Sequence, residues 1–328
     1  MLINCFFIAL IGFFLSLFFI FLFKKLAVRY KVLIPQGIPI IGGIAMGLSF
    51  IFVCLIGFSL FGSLSQEVIG IIITSLIILI FGVIDDLREL SILAKFLVQI
   101  IATSLLIFFG IRTQIVYIGN ILNIIITFIW ILGITNAFNH LDVIDGLAAG
   151  TAMIVTLAFF AISLLNGDVK NAILALALSG AIFSFLIYNF PPARVYMGNS
   201  GSHFLGFILA AIALVISYAP LERKIALFSP LLILGFPIFD TAFLILMRIR
   251  QGRSAFKKSN DHLALRFLKL GYSKNKTLLF MLTVALFFSS CGVVVSQVSN
   301  FLGLTIVVFV VLVSLTLTKK MGKVSIDV

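Results

Sequence analysis

Long apolar runs separated by short polar breaks fill almost the whole chain. A helix needs about 20 apolar residues to cross the hydrocarbon core. On that measure the pattern predicts eleven spans, near residues 3–23, 38–60, 68–84, 92–110, 120–137, 144–165, 170–189, 203–219, 225–247, 276–296 and 301–318. The expected fold class is therefore an all-α integral membrane protein of about 11 transmembrane helices. Residues 1–328 form a single polytopic domain, and any site must be built from helix ends and loops. The first apolar run has no basic stretch before it, so it reads as a first span rather than a cleaved signal peptide.

Charge fixes an expected orientation. Nineteen of the 23 Lys and Arg residues fall in odd-to-even connections or the C-terminal tail, and only Arg112, Lys170, Arg223 and Lys224 fall on the other side. The positive-inside rule then puts the N-terminus outside and the C-terminus in the cytoplasm. The longest inner connection is a basic loop over 248–276 that includes Lys257 and Lys258. The formal charge of +12 follows from these loops and their contact with anionic lipid. No soluble basic domain exists to bind nucleic acid. Cys5, Cys54 and Cys291 sit in apolar runs and read as small apolar residues.

Acidic residues are scarce, eleven in all. Asp85, Asp86, Asp142, Asp145 and Asp261 all land on the inner face. The third span ends in GVIDDLRELS. Adjacent carboxylates at a membrane helix end are costly unless hydrated, paired or metal-bound, and a divalent cation relieves their repulsion. A solvated helix end is the bland alternative. Lys95 reads as a phosphate ligand or as an interfacial anchor.

The stretch NAFNHLDVIDGLAAG spaces Asn136, Asn139, Asp142 and Asp145 three apart. In a helix or turn this gathers oxygen ligands on one side, and Gly146 lets the chain reverse into the next span. In NFPPARVYMGNSGS, Pro191 and Pro192 end a span. A Gly/Ser turn then offers backbone amides suited to phosphate, and Tyr196 offers a ring for a base. Each of these is weak alone. Gly42 and Gly43 suit either a ligand or close helix packing. The last loop adds His262, one of three histidines, on a cationic segment suited to a diphosphate.

With these segments in order, the chain resembles the polyprenyl-phosphate N-acetylhexosamine-1-phosphate transferases, glycosyltransferase family 4 (the WecA-like branch, more distantly MraY). The matching segments are GVIDD at 82–86 with Lys95 and Gln99, NAFNHLDVIDGLAAG at 136–150, FPPARVYMGNSGS at 190–202 and, more weakly, DHLALRFLKLG at 261–271. The resemblance implies transfer of a sugar-1-phosphate, N-acetylglucosamine-1-phosphate in the WecA-like branch, from a UDP-N-acetylhexosamine to a polyprenyl phosphate. The active site would lie at the cytoplasmic face of the inner membrane. It implies Mg²⁺, with Mn²⁺ as the alternative, and leaves a homodimer open. By this resemblance Asp85, Asp86, Asp142 and His262 are catalytic. Lys95, Asn136, Asp145, Tyr196 and Arg266 bind substrate, with Asp145 at uracil, Tyr196 stacked on it and Arg266 at the diphosphate. Asn139, Asn199 and Asp86 are the metal ligands.

The chain also departs from the family pattern. Asn199 stands where Asp is usual, and Ala264 and Leu265 stand where further histidines are usual. A Lys-x-His pattern is missing from the first inner loop, and His140 and His203 occupy positions that are commonly apolar. These departures keep a catalytically impaired homologue open as a second reading, and a transporter as a third.

Overall fold

A computed structural model describes residues 2–254 and 261–324. Lys257 and Lys258 lie outside the described residues. The chain folds into α1 (Leu2–Tyr30), α2 (Gly42–Phe61), α3 (Gln66–Leu87), α4 (Ile92–Phe108), α5 (Gly119–Leu141), α6 (Leu147–Leu165), α7 (Val169–Asn189) and α8 (Gly198–Val215). These are followed by α9 (Ser229–Ile233), α10 (Gly235–Arg250), α11 (Leu263–Lys269), α12 (Lys274–Gln297) and α13 (Asn300–Met321). Serine hydroxyls cap the starts of α3, α4, α12 and α13, from Ser65, Ser91, Ser273 and Ser299. Asp168 does the same for α7. Each satisfies one amide that the first helical turn leaves unpaired.

Every one of the eleven expected spans is helical, with two corrections. Among the described residues nine helices are long and apolar enough to cross a membrane, or ten if a bent pair counts as one span. The helix α4 has only 17 residues, about 26 Å at 1.5 Å per residue, short of the roughly 30 Å core. The span expected at 225–247 is broken. Lys224–Ile233 and Gly235–Arg250 meet at 71°, and Pro230 and Pro237 flank the break, where each lacks the amide that would continue the ladder. The protein is a multi-pass membrane protein.

With α7, α8 is the most enclosed of the spans, buried almost continuously from Ser200 to Ala213 and packed on α2, α3 and α5. α7 packs against α1, α2 and α6. In contrast, α13 buries only Gly303, Val310 and Met321. The centre of the bundle is thus α8, and its N-terminus is the point on which the polar segments converge. Two glycines allow this. A Cβ on Gly43 would lie 2.1 Å from the Gly201 amide, and one on Gly82 would lie 2.3 Å from the Ser200 Cα. The close-packing reading of Gly43 therefore holds.

Candidate active site

Consecutive residues on a helix point about 100° apart, so the two carboxylates at the end of α3 do different work. Asp85 turns inward, its side chain fully enclosed, and pairs with Lys95 Nζ at 2.5 Å. Its other oxygen accepts the Leu90 amide at 2.8 Å, which closes the turn between α3 and α4. Asp86 reaches across to α8 and accepts the amides of Asn199 at 2.6 Å and Ser200 at 3.0 Å. It caps α8 from another helix, an arrangement that also sets a negative charge at the positive end of the helix dipole. Gly198, with φ +74°, makes the turn into α8, and a Cβ there would strike Asp86. Both oxygens of Asp86 are thus engaged by backbone, which the sequence reading did not foresee.

α5 delivers the second group. Asn136 donates to Gln99 Oε1 at 2.9 Å. Asn139 donates to Asn199 Oδ1 at 3.2 Å and to Ser202 Oγ at 3.0 Å. The three-residue row expected over 136–145 stops there, because α5 ends at Leu141 and Asp142 is its C-cap. Asp142 is exposed at the end of α5. Desolvation, with repulsion from Asp86 and then Asp145, pushes its carboxyl up to about 7. Gly146 adopts φ +78° and reverses the chain into α6, as its sequence suggested. Asp145 accepts the Ala193 amide at 3.2 Å, tying this turn to the segment before α8. Tyr196 is half-buried, and its backbone is held by Pro39 and Gly42 at 2.9 and 3.0 Å.

The third group comes from α10 and α11. His262 Nδ1 lies 3.2 Å from Asp240 Oδ2, and the other Asp240 oxygen accepts the Leu263 amide at 3.1 Å. A carboxylate only accepts, so Nδ1 carries the proton of this bond. Asp240 is nearly fully buried, and sequence reasoning missed it. The available signal was an acid inside an apolar span, which is functional or paired by default.

Arg266 does not fit its expected place at a diphosphate. It is 1% exposed and pairs with Asp261 at 2.9 Å. It also donates to the Asp261 and Met321 carbonyls at 3.3 and 3.2 Å and to that of Val324. Its guanidinium stacks on Phe243. Burial pulls its pKa down, and Asp261 counters that pull. Arg266 locks the end of α13 to the last loop, and Asp261 is its counter-ion.

Asn139 and Asn199 meet side by side, with Asp142 within electrostatic range of Asp86. This donor set suits Mg²⁺, which takes few protein oxygens and otherwise prefers water and phosphate. The repulsion from Asp86 and Asp145, which adds to desolvation in raising the Asp142 pKa, is the kind a cation relieves. Among the described residues no three His, Cys, Asp or Glu side chains converge, so protein ligation would combine amide oxygens with at most two such side chains. A cavity of about 430 Å³ lies at the opposite ends of the same helices. Its charged lining is Glu67, Arg112, Arg223 and Lys224, and none of the polar segments around the α8 N-terminus reaches it.

The profile of glycosyl transferase family 4 matches residues 68–217. That stretch spans α3 through α8 and so contains the first two groups. A Bacillus subtilis protein described as a probable undecaprenyl-phosphate N-acetylglucosaminyl 1-phosphate transferase is 31% identical over 254 residues, covering 74% of this chain and 70% of its own length. The chain belongs to glycosyl transferase family 4. Two further relatives are similar to the chain. The Mycobacterium tuberculosis decaprenyl-phosphate N-acetylglucosaminephosphotransferase is 34% identical over 65% of this chain and 59% of its own length. A Thermotoga maritima undecaprenyl-phosphate alpha-N-acetylglucosaminyl 1-phosphate transferase is 29% identical, covering 73% and 74%.

Proposed function

We propose that this family 4 member transfers N-acetylglucosamine-1-phosphate from UDP-N-acetylglucosamine to undecaprenyl or another polyprenyl phosphate. The lipid-diphosphate sugar and UMP would form at the cytoplasmic face of the inner membrane. The observation that carries this reading is the convergence of Asp86, Asn139 and Asn199 around the N-terminus of α8, with the exposed Asp142 within electrostatic range of Asp86. The names borne by the relatives agree with it.

The reaction is a phosphoryl transfer. An oxygen of the lipid phosphate attacks the β-phosphorus of the donor, and the bond from that phosphorus to the bridging oxygen breaks, so that UMP departs. Catalysis of this kind is largely positioning and charge compensation. Asp142 has an unengaged carboxylate with a pKa near that of the second ionisation of a phosphate monoester, which suits it to take the proton from the attacking phosphate. Lys95, oriented by Asp85, supplies positive charge to a phosphate. The half-buried Tyr196 ring and Asp145 flank the turn expected to receive uracil. Mg²⁺, or Mn²⁺ in its place, would be held by Asn139 and Asn199 and would neutralise charge on the transferring phosphoryl group. Asp86 acts by holding α8, and with it Asn199, in place. A bilayer-embedded bundle gives a lipid acceptor lateral access to this end.

The test is a transfer assay with purified protein, undecaprenyl phosphate, Mg²⁺ and a panel of UDP-sugars. Lipid product with UDP-N-acetylglucosamine supports the reading, and no product with any donor overturns it. One observation favours a second reading, a homologue that binds without turnover. The Asn199 amide oxygen already accepts from Asn139, and a neutral amide replaces the usual carboxylate. Nucleotide binding without transfer would select that reading.

A further inference from the structure

His140 is the last-turn residue of α5, directly after Asn139. No hydrogen bond joins its side chain to the described protein, and its Nδ1 is enclosed without a partner. An enclosed lone pair is tolerated better than an enclosed orphan N–H, so the neutral ring carries its proton on Nε2, the atom left to meet solvent. Its ring lies 6.4 Å, centroid to centroid, from that of His262. A direct N–H···N bond between two imidazoles would bring the centroids to about 5 Å. Two rings that each reach one shared oxygen at about 2.8 Å sit roughly 6–8 Å apart, depending on the angle at that oxygen. The observed gap therefore fits one bridging oxygen atom.

The surroundings favour an anionic oxygen. His262 is held through Nδ1 by Asp240, which leaves Nε2 as the ring nitrogen available to a ligand oxygen. Arg248 also lies within electrostatic reach of His140.

We propose that His140 is a substrate-binding residue of this chain, and that with His262 it holds one diphosphate oxygen of the nucleoside-diphosphate donor between two imidazoles. This rests on the transferase reading for the identity of the donor. It also gives the histidine at position 140 a reason to stand where an apolar residue is usual. Two elements distant in sequence, α5 and α11, supply the two rings.

The experiment compares wild type, His140→Leu and His140→Gln in steady-state transfer and in UDP binding by calorimetry with purified protein. The leucine variant removes the donor, and the glutamine variant returns one at similar reach. His140→Leu is expected to raise the donor KM and the UDP Kd about tenfold, which is ~1.4 kcal/mol. His140→Gln should recover most of that loss. The lipid-acceptor KM and the Mg²⁺ requirement should stay within about twofold, which separates His140 from its neighbour Asn139. A donor KM and UDP Kd unchanged in His140→Leu would overturn the proposal, as would a defect that appears only in the Mg²⁺ requirement, or a wild type that does not bind UDP. A leucine variant that does not fold leaves the decision to glutamine, where wild-type-like UDP affinity is expected and a tenfold loss refutes. Wild type that binds UDP without transferring refutes the transferase reading alone, because the binding comparison still decides on His140.

Discussion

Replacing Asp86 with alanine should destabilise the fold as well as stop the reaction. Among the described residues its carboxylate is the only side-chain acceptor for the Asn199 and Ser200 amides, at 2.6 and 3.0 Å. Loss of a helix N-cap costs typically about 1 kcal/mol. Removing a negative charge from the positive end of the helix adds roughly 0.3–1 kcal/mol, and more in partly buried geometry. Against this, the alanine variant no longer has to hold a carboxylate partly out of water, which returns part of the loss. The net expectation is about 1–3 kcal/mol. Asp86→Asn keeps one acceptor but turns an NH₂ toward the second amide, and should lose about half as much. Equilibrium unfolding in mixed micelles of detergent and SDS measures the difference directly. An Asp86→Ala variant within about 0.3 kcal/mol of wild type, yet inactive, would refute the cap and return Asp86 to a purely chemical role.

Other outcomes follow from the same geometry. Arg266→Ala strands Asp261, whose next cation among the described residues, Arg253, is 3.9 Å away, so it should cost about 3 kcal/mol in the same unfolding assay; a loss below about 1 kcal/mol would mean that the pair behaves as a solvent-exposed one. Asn199→Asp should lower the Mg²⁺ concentration for half-maximal transfer, since a carboxylate attracts the cation more strongly than an amide; an unchanged Mg²⁺ titration with full activity would show that position 199 is not a ligand. Asp142, with its carboxyl raised to about 7, is protonated below that pH and ionised above it. Transfer that needs the ionised form should therefore rise between about pH 6 and 8, with the rise drawn lower as saturating Mg²⁺ favours the anion, and the ascending limb should vanish in Asp142→Asn. A flat profile for the wild type would refute the base assignment.

What the sequence carried well was local. Hydropathy alone located every α-helix but the short α11, because in lipid every backbone group must bond within its own helix. Gly146 and the Asn136/Asn139 spacing were also readable, since turns and helical faces are short-range. The break at Leu234 was available in Pro230, Gly235 and Pro237 but was masked by an unbroken apolar run. What could not be read was long-range pairing. Asp86 looked like a free site acid, and only the fold shows the α8 amides against it. Arg266 looked like one cation of a ligand-binding loop, and only the fold shows α13 ending on it. Asp240 was overlooked because its partner, His262, lies 22 residues away and no helical period connects them.

The central claim is that a phosphosugar, and not a bare sugar, moves to the lipid. The most direct measurement supplies UDP-N-acetylglucosamine labelled with ³²P in the β-phosphate, together with undecaprenyl phosphate and Mg²⁺. The account predicts that the label leaves the nucleotide and appears in the lipid fraction in step with UMP. Label retained in UDP while sugar reaches the lipid would contradict it.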